Sequence, residues 1–401
     1  MSDHPHNSEL KPEMFESGKA GMLPVLFGGA GVIGIVVSIL LAFLGDEWRH
    51  QFAFSWLFAF VYFFTISVGS LFWILVHYAT DAEWSVVVRR VLENVASLIP
   101  YLAIGFVGVY ICAPLLFHWW NLPPGADEVL DKKHAWLNHG AFLVRAVIYF
   151  VGMGGIAVAM RNNSINQDKD GHPIYTLRNR RWSFIGIPVL ALSLTFAAVD
   201  WLMSLDFHWA STMWGVYIFA GGAGAAMCLL VLLVTWLRSL GYLKNVTIEH
   251  YHIMGKLMLA FCVFWAYIGF SQYMLIWYAN LPEETSYFIR RNTGGWWYLS
   301  TILVVGRFFV PLPFLLFQAT KKRIASICFV AGWLLVMHLL DLYIVVLPIF
   351  HKQGVAASIL DVTTVVGIGG ILGFLFLKKL TQASLFPIRD PRQRESLSLT
   401  N

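Results

Sequence analysis

Apolar residues come in ten long blocks separated by short polar stretches, at about 22–44, 52–79, 94–117, 139–160, 182–204, 209–238, 253–280, 296–319, 323–346 and 355–378. A helix rises ~1.5 Å per residue, so roughly 20 apolar residues cross the hydrocarbon of a bilayer, and every block reaches that length. The pattern predicts ten transmembrane helices in one domain, 22–378, between polar tails at 1–21 and 379–401. The first block is too long for the apolar core of a secretory leader, so it is expected to stay on the chain. In the stretch 83–98 the period changes. Trp84, Val87, Val88, Val91 and Val95 share one helical face and Arg89, Arg90 and Glu93 lie elsewhere, which predicts a helix along the membrane interface ahead of the third span. Pro311 and Pro313 predict a bend in the eighth span, because each removes an amide donor and brings a ring clash. The small residues from Gly221 to Ala226 predict close helix approach in the sixth.

Composition agrees with a membrane protein. Of the 401 residues 58% are hydrophobic and only 13% charged, where a soluble domain carries roughly 25% charged residues. The four cysteines, Cys112, Cys228, Cys262 and Cys328, all fall inside predicted spans and form no CxxC pair. They offer no iron–sulfur or zinc spacing and read as small buried side chains. The net charge of +5 does not point to nucleic acid, because its distribution records orientation. Lysines and arginines on the side that holds both termini outnumber those on the opposite side roughly three to one, which predicts that both termini are cytoplasmic. The five cations of the link 161–181 belong to this signal, and the link is expected to pack under the bundle or meet lipid headgroups. On the opposite side, 118–138 and 281–295 are the largest connections and the expected contact surfaces for partners.

Charged residues inside the spans are the candidate chemistry. Asp200 lies on the fifth span, His338 and Asp341 are three apart on one face of the ninth, and Asp361 lies on the tenth with Thr364. Arg145 and Arg307 lie on the fourth and eighth. A lone charge at a helix centre costs roughly 2.5–3.5 kcal/mol, so these groups are expected to face protein or a wet cavity. Asp and His alternate between protonation states and Arg does not. Asp200, His338, Asp341 and Asp361 are therefore the expected proton-transfer groups, with Arg145 and Arg307 tuning the field and Lys256 opening an inner half-channel. The alternative is an ion-pair network that only fixes helix register. Intramembrane histidines do not pair at one depth as a b-type haem requires, and no nucleotide-binding motif is present, so the chain is expected to carry no cofactor or metal of its own.

The seventh block, Gly255 to Thr285, is the most distinctive. Tyr267, Ser271, Met274 and Tyr278 share a helical face, with Gln272 and Tyr273 beside it, and the face either holds hydrogen-bonded water or packs on a neighbour. Its string FWAYIGFSQYMLIWYANLPEET resembles the corresponding helix of the NrfD-like family of polytopic membrane subunits, the family that includes the ActF subunits of the bacterial quinol-oxidising assembly alternative complex III. The resemblance implies two four-helix bundles plus two further helices in a bacterial cytoplasmic membrane. It implies a non-catalytic subunit of a quinol oxidoreductase. The partners would be an ActC-like second NrfD-family subunit, an iron–sulfur subunit, c-type cytochromes and membrane lipids. Iron–sulfur clusters and c-type haems would then reside on those partners, and quinol would be oxidised mainly at the ActC-like subunit, although Gln272 or Tyr273 could bind one here. The competing expectations are a structural anchor of the same assembly and a free-standing secondary transporter.

Overall fold

The computed structural model describes residues 11–400; the first ten residues of the expected N-terminal tail lie outside this range. Among the described residues the chain is all-α, and ten helical stretches are long and apolar enough to cross a membrane: Leu23–Ala42, Asp46–Ala79, Glu83–Ile111, His139–Asp170, Ile174–Asp206, Trp214–Ser239, Ile248–Ala279, Trp296–Leu316, Ile324–Ile349 and Ile359–Leu380. The second to fifth spans pack as one four-helix bundle and the sixth to ninth as another. The two bundles meet along the second and sixth spans. A Cβ on Gly69 would lie 2.3 Å from the Gly222 carbonyl oxygen, so glycine is what lets these two backbones touch. The first and tenth spans pair with each other on the flank of the second. There Gly31 and Gly34 face Gly370 and Gly367, and a Cβ on Gly34 would be 2.7 Å from the Gly367 nitrogen.

Two spans are interrupted. The third breaks at Ser97 and Leu98, just ahead of Pro100, into helices Val86–Ala96 and Ile99–Ile111. The eighth runs Trp296–Val304, passes through a π-helical turn at Val305–Phe309 and resumes at Pro311–Leu316. π-Turns are rare and widen a helix locally; this one carries Arg307.

One expectation about the side bearing the termini is corrected. All residues of the helix Val86–Ala96 are buried, so it does not lie on the lipid interface. Its charged face is covered by the C-terminal segment, which packs against it as a plug. Leu385 and Phe386 are buried, and Asp390 pairs with Arg89. Arg90, fully buried, pairs with Glu93 at 3.0 Å and Asp168 at 2.9 Å and donates to the Ser384 carbonyl at 3.2 Å. The link 161–181 is almost entirely helix: the fourth span continues to Asp170, Gly171 takes φ 71° at the turn, and the fifth begins at Ile174. Hydrogen bonds from Asn163 to Asn179 (2.9 Å) and Gln167 to Thr176 (2.7 Å) hold the two extensions together. A helix needs no apolar residues to continue beyond the hydrocarbon, so the polar link extends both spans as helix.

Candidate functional site: the centre of the second bundle

His338 and Asp341 on the ninth span face Arg307 of the π-turn, and all three are buried. Arg307 Nη1 bonds Asp341 Oδ2, and its Nη2 lies 3.1 Å from His338 Nδ1. The Asp341 carboxylate also accepts from the Tyr217 hydroxyl on the sixth span and from Trp265 Nε1 on the seventh, the latter at 3.1 Å. The guanidinium lies over the Trp265 ring, 4.3 Å from its centroid. His338 Nε2 is 3.0 Å from Thr65 Oγ1 on the second span, whose hydroxyl donates to the Tyr62 carbonyl at 3.0 Å. These partners assign the tautomer. A guanidinium only donates, so Nδ1 accepts, the ring proton sits on Nε2, and it is donated to Thr65. One directional chain of hydrogen bonds therefore runs from the arginine across the bundle boundary.

Backbone geometry makes room for it. A Cβ on Gly221 would stand 3.0 Å from Arg307 Nη2 and 3.1 Å from His338 Cε1, so the close-packed glycine of the sixth span also seats the two polar side chains. On one side of the cluster Asp341 borders a cavity of about 720 Å³. Strongly exposed Tyr267, Phe270, Val304 and Phe309 of the seventh and eighth spans form its mouth. On another side Arg307 borders a void of about 20 Å³ between Gly224, Cys228, Met258 and Cys262, enough volume for one water.

The first bundle has a second arginine–aspartate pair, again with the arginine on its third helix and the aspartate on its fourth. Arg145 grips Asp200 with Nε on Oδ2 and Nη2 on Oδ1, both at 2.8 Å. Trp136 Nε1 and the Tyr149 hydroxyl add bonds of 2.8 Å each. Asp200 is thus held by four donors at full burial. The aromatic residues Phe60, Phe64, Phe106, Phe150 and Trp201 pack together in the same bundle.

The four acid and histidine positions expected to work together therefore divide into three places. His338 and Asp341 are together, Asp200 belongs to the other bundle, and Asp361 is a helix cap. Asp361 completes a capping box with Ser358 at the start of the tenth span and accepts from Ser55 (2.5 Å) and Gln51 (3.0 Å). Arg145 and Arg307 are direct partners of the carboxylates of Asp200 and Asp341. Lys256 is exposed, nine residues before Trp265 and so roughly 13 Å from it along the helix. The seventh helix is rotated relative to expectation. Trp265, Ile268, Gln272 and Ile276 are its buried residues in this stretch, whereas Tyr267, Tyr273 and Tyr278 are exposed and Ser271 is half-buried. Buried Gln272 accepts from Ser211 at 2.8 Å. Tyr217, Trp265, Thr65 and Gly221 were not legible as site residues; aromatic and small residues are common throughout membrane spans, and only the three-and-four spacing of 265, 268, 272 and 276 carried a signal.

No protein-family model matches the chain, and no protein of curated function matches it in sequence.

Proposed function

We propose that this chain is a membrane subunit of a quinol-oxidising respiratory assembly of the alternative complex III kind, carrying no redox group itself, and that its second bundle moves protons. Both termini then face the cytoplasm, and iron–sulfur clusters and c-type haems belong to partner subunits. The likeness of the segment 264–285 supports the assembly, and the ten spans grouped as two bundles and a flanking pair accord with it. One observation carries the proton reading: Asp341 borders the large cavity while Arg307 ties it to His338 and Thr65.

The chemistry follows from the charges. A proton taken up by Asp341 removes the counter-charge that holds Arg307. The guanidinium keeps its bond to His338, and the void beside Cys228 and Cys262, large enough for one water, lies next to it. Asp341, released by the guanidinium but still bonded to Tyr217 and Trp265, has the cavity beside it as the route for its proton, and its deprotonation restores the pair with Arg307. The first bundle's pair has a bidentate arginine and two further donors, an arrangement suited to fixing helix register.

Purification in mild detergent tests the assembly. The expected result is co-isolation with c-type cytochromes and an iron–sulfur protein. A lone monodisperse chain that retains its fold would contradict membership and favour a free-standing transporter.

A further inference from the structure

The cavity between the seventh and eighth spans has a feature that the proton reading does not use. Arg291, at the end of the helix Pro282–Arg291, lines it and is buried. Its guanidinium donates to three backbone carbonyls, those of Ile344 (2.9 Å), Tyr287 (3.1 Å) and Val345 (2.6 Å), and lies 3.5 Å from the centroid of the Tyr287 ring. No carboxylate pairs with it among the described residues, since the nearby Asp206 is taken by Arg290 at 2.9 Å. Burial pushes the Arg291 guanidinium down from its ordinary range. A buried cation compensated only by carbonyl dipoles and an aromatic face, with N–H donors to spare, is a place for an anion. Asn292 and Ser300 add polar groups at the same end. Of the other wall residues Asp341 is charged but is already paired with Arg307, and Leu303 and Phe308 form an apolar stretch of the lining that continues to the exposed residues Val304 and Phe309. The volume of about 720 Å³ falls in the ~300–1,000 Å³ range of small-molecule pockets.

We infer that this cavity binds a membrane lipid with an anionic phosphodiester head, the head at Arg291 and an acyl chain along Leu303 and Phe308. An aqueous anion would not need the apolar channel, and a neutral amphiphile would leave the cation unanswered. Charge complementarity at one end and lateral access at the other together select a phospholipid.

Native mass spectrometry of the detergent-purified full chain, titrated with dioleoyl phosphatidylglycerol or dioleoyl phosphatidylcholine, tests the site without turnover. The expected result is one tightly held phosphatidylglycerol per chain, favoured by about tenfold or more over phosphatidylcholine. Arg291→Gln is expected to abolish the preference. Because Arg291 also ties backbone carbonyls, Leu303→Trp provides a second variant that fills the channel and leaves every polar group in place; it is expected to weaken retention of phosphatidylglycerol by about tenfold. Equal retention of the two lipids, displacement by inorganic phosphate, a phosphorus-free isoprenoid in the lipid's place, or undiminished binding in Leu303→Trp would each overturn the proposal.

Discussion

Arg145→Met is expected to lower the free energy of unfolding by about 3–5 kcal/mol, the cost of stripping a buried carboxylate of its partner. Asp200 is fully buried and takes two of its four bonds from this one guanidinium. Trp136 and Tyr149 would remain, but neither supplies charge. Arg145 also donates to the Trp136 carbonyl at 2.9 Å and lies over that ring at 4.1 Å, so it pins the connection before the fourth span as well. The double change Arg145→Met with Asp200→Leu should recover part of the loss, because no uncompensated charge remains, although Trp136 Nε1 and the Tyr149 hydroxyl lose their acceptor. Denaturant titration in micelles, followed by tryptophan fluorescence, gives the three values needed for the double-mutant cycle. A single change that costs nothing would mean that water reaches Asp200, and the pair would lose its purely structural assignment.

His338→Ala is expected to slow proton transfer during quinol oxidation on the order of 10²-fold, the lower end of what a positioned acid–base group contributes. Among the described residues the imidazole is the only group bonded to both Arg307 and Thr65. Without it, Arg307 is held by Asp341 and the Trp265 face alone and has no second partner to keep when Asp341 is protonated. The hydroxyl of Thr65 also loses a partner, for a stability cost of about 1–3 kcal/mol. Thr65→Val interrupts the same link from the other helix and should shift the rate in the same direction by less. Stopped-flow detection of proton uptake in proteoliposomes distinguishes the two effects, since a loss of fold lowers the amplitude whereas a broken link lowers the rate. An unchanged rate in both variants would make His338 a packing residue.

The ten spans were legible because crossing hydrocarbon demands a long apolar run, and that demand leaves a direct trace in the sequence. What such a run does not reveal is which of its faces meets protein and which meets lipid, because both surroundings are apolar. This is why the polar spacing of the seventh helix points to the side of Tyr267 and Tyr278 as the interior, although both are exposed, and does not single out buried Trp265. The helix at 86–96 failed for a related reason. An amphipathic pattern predicts an interface, but its charges are met by Asp390 and Asp168, which no local reading can place beside Arg89 and Arg90. The apolar block begins at 355, which places Asp361 well inside the span, whereas the helix starts at Ile359 and makes the aspartate part of its cap. The three-residue spacing of His338 and Asp341 did survive, because two polar residues on one face of an otherwise apolar helix need a shared polar partner, and Arg307 supplies it.

Proton release per quinol oxidised, measured in proteoliposomes holding the intact assembly with either the wild-type chain or Asp341→Asn, bears most directly on whether the second bundle conducts. Asparagine keeps the shape of the side chain and an acceptor oxygen for Tyr217 or Trp265, but it cannot take up and release a proton. With quinol oxidation continuing in both preparations, fewer protons per quinol are expected from the variant. Equal stoichiometry with the assembly intact would show that the buried pair only holds the helices together.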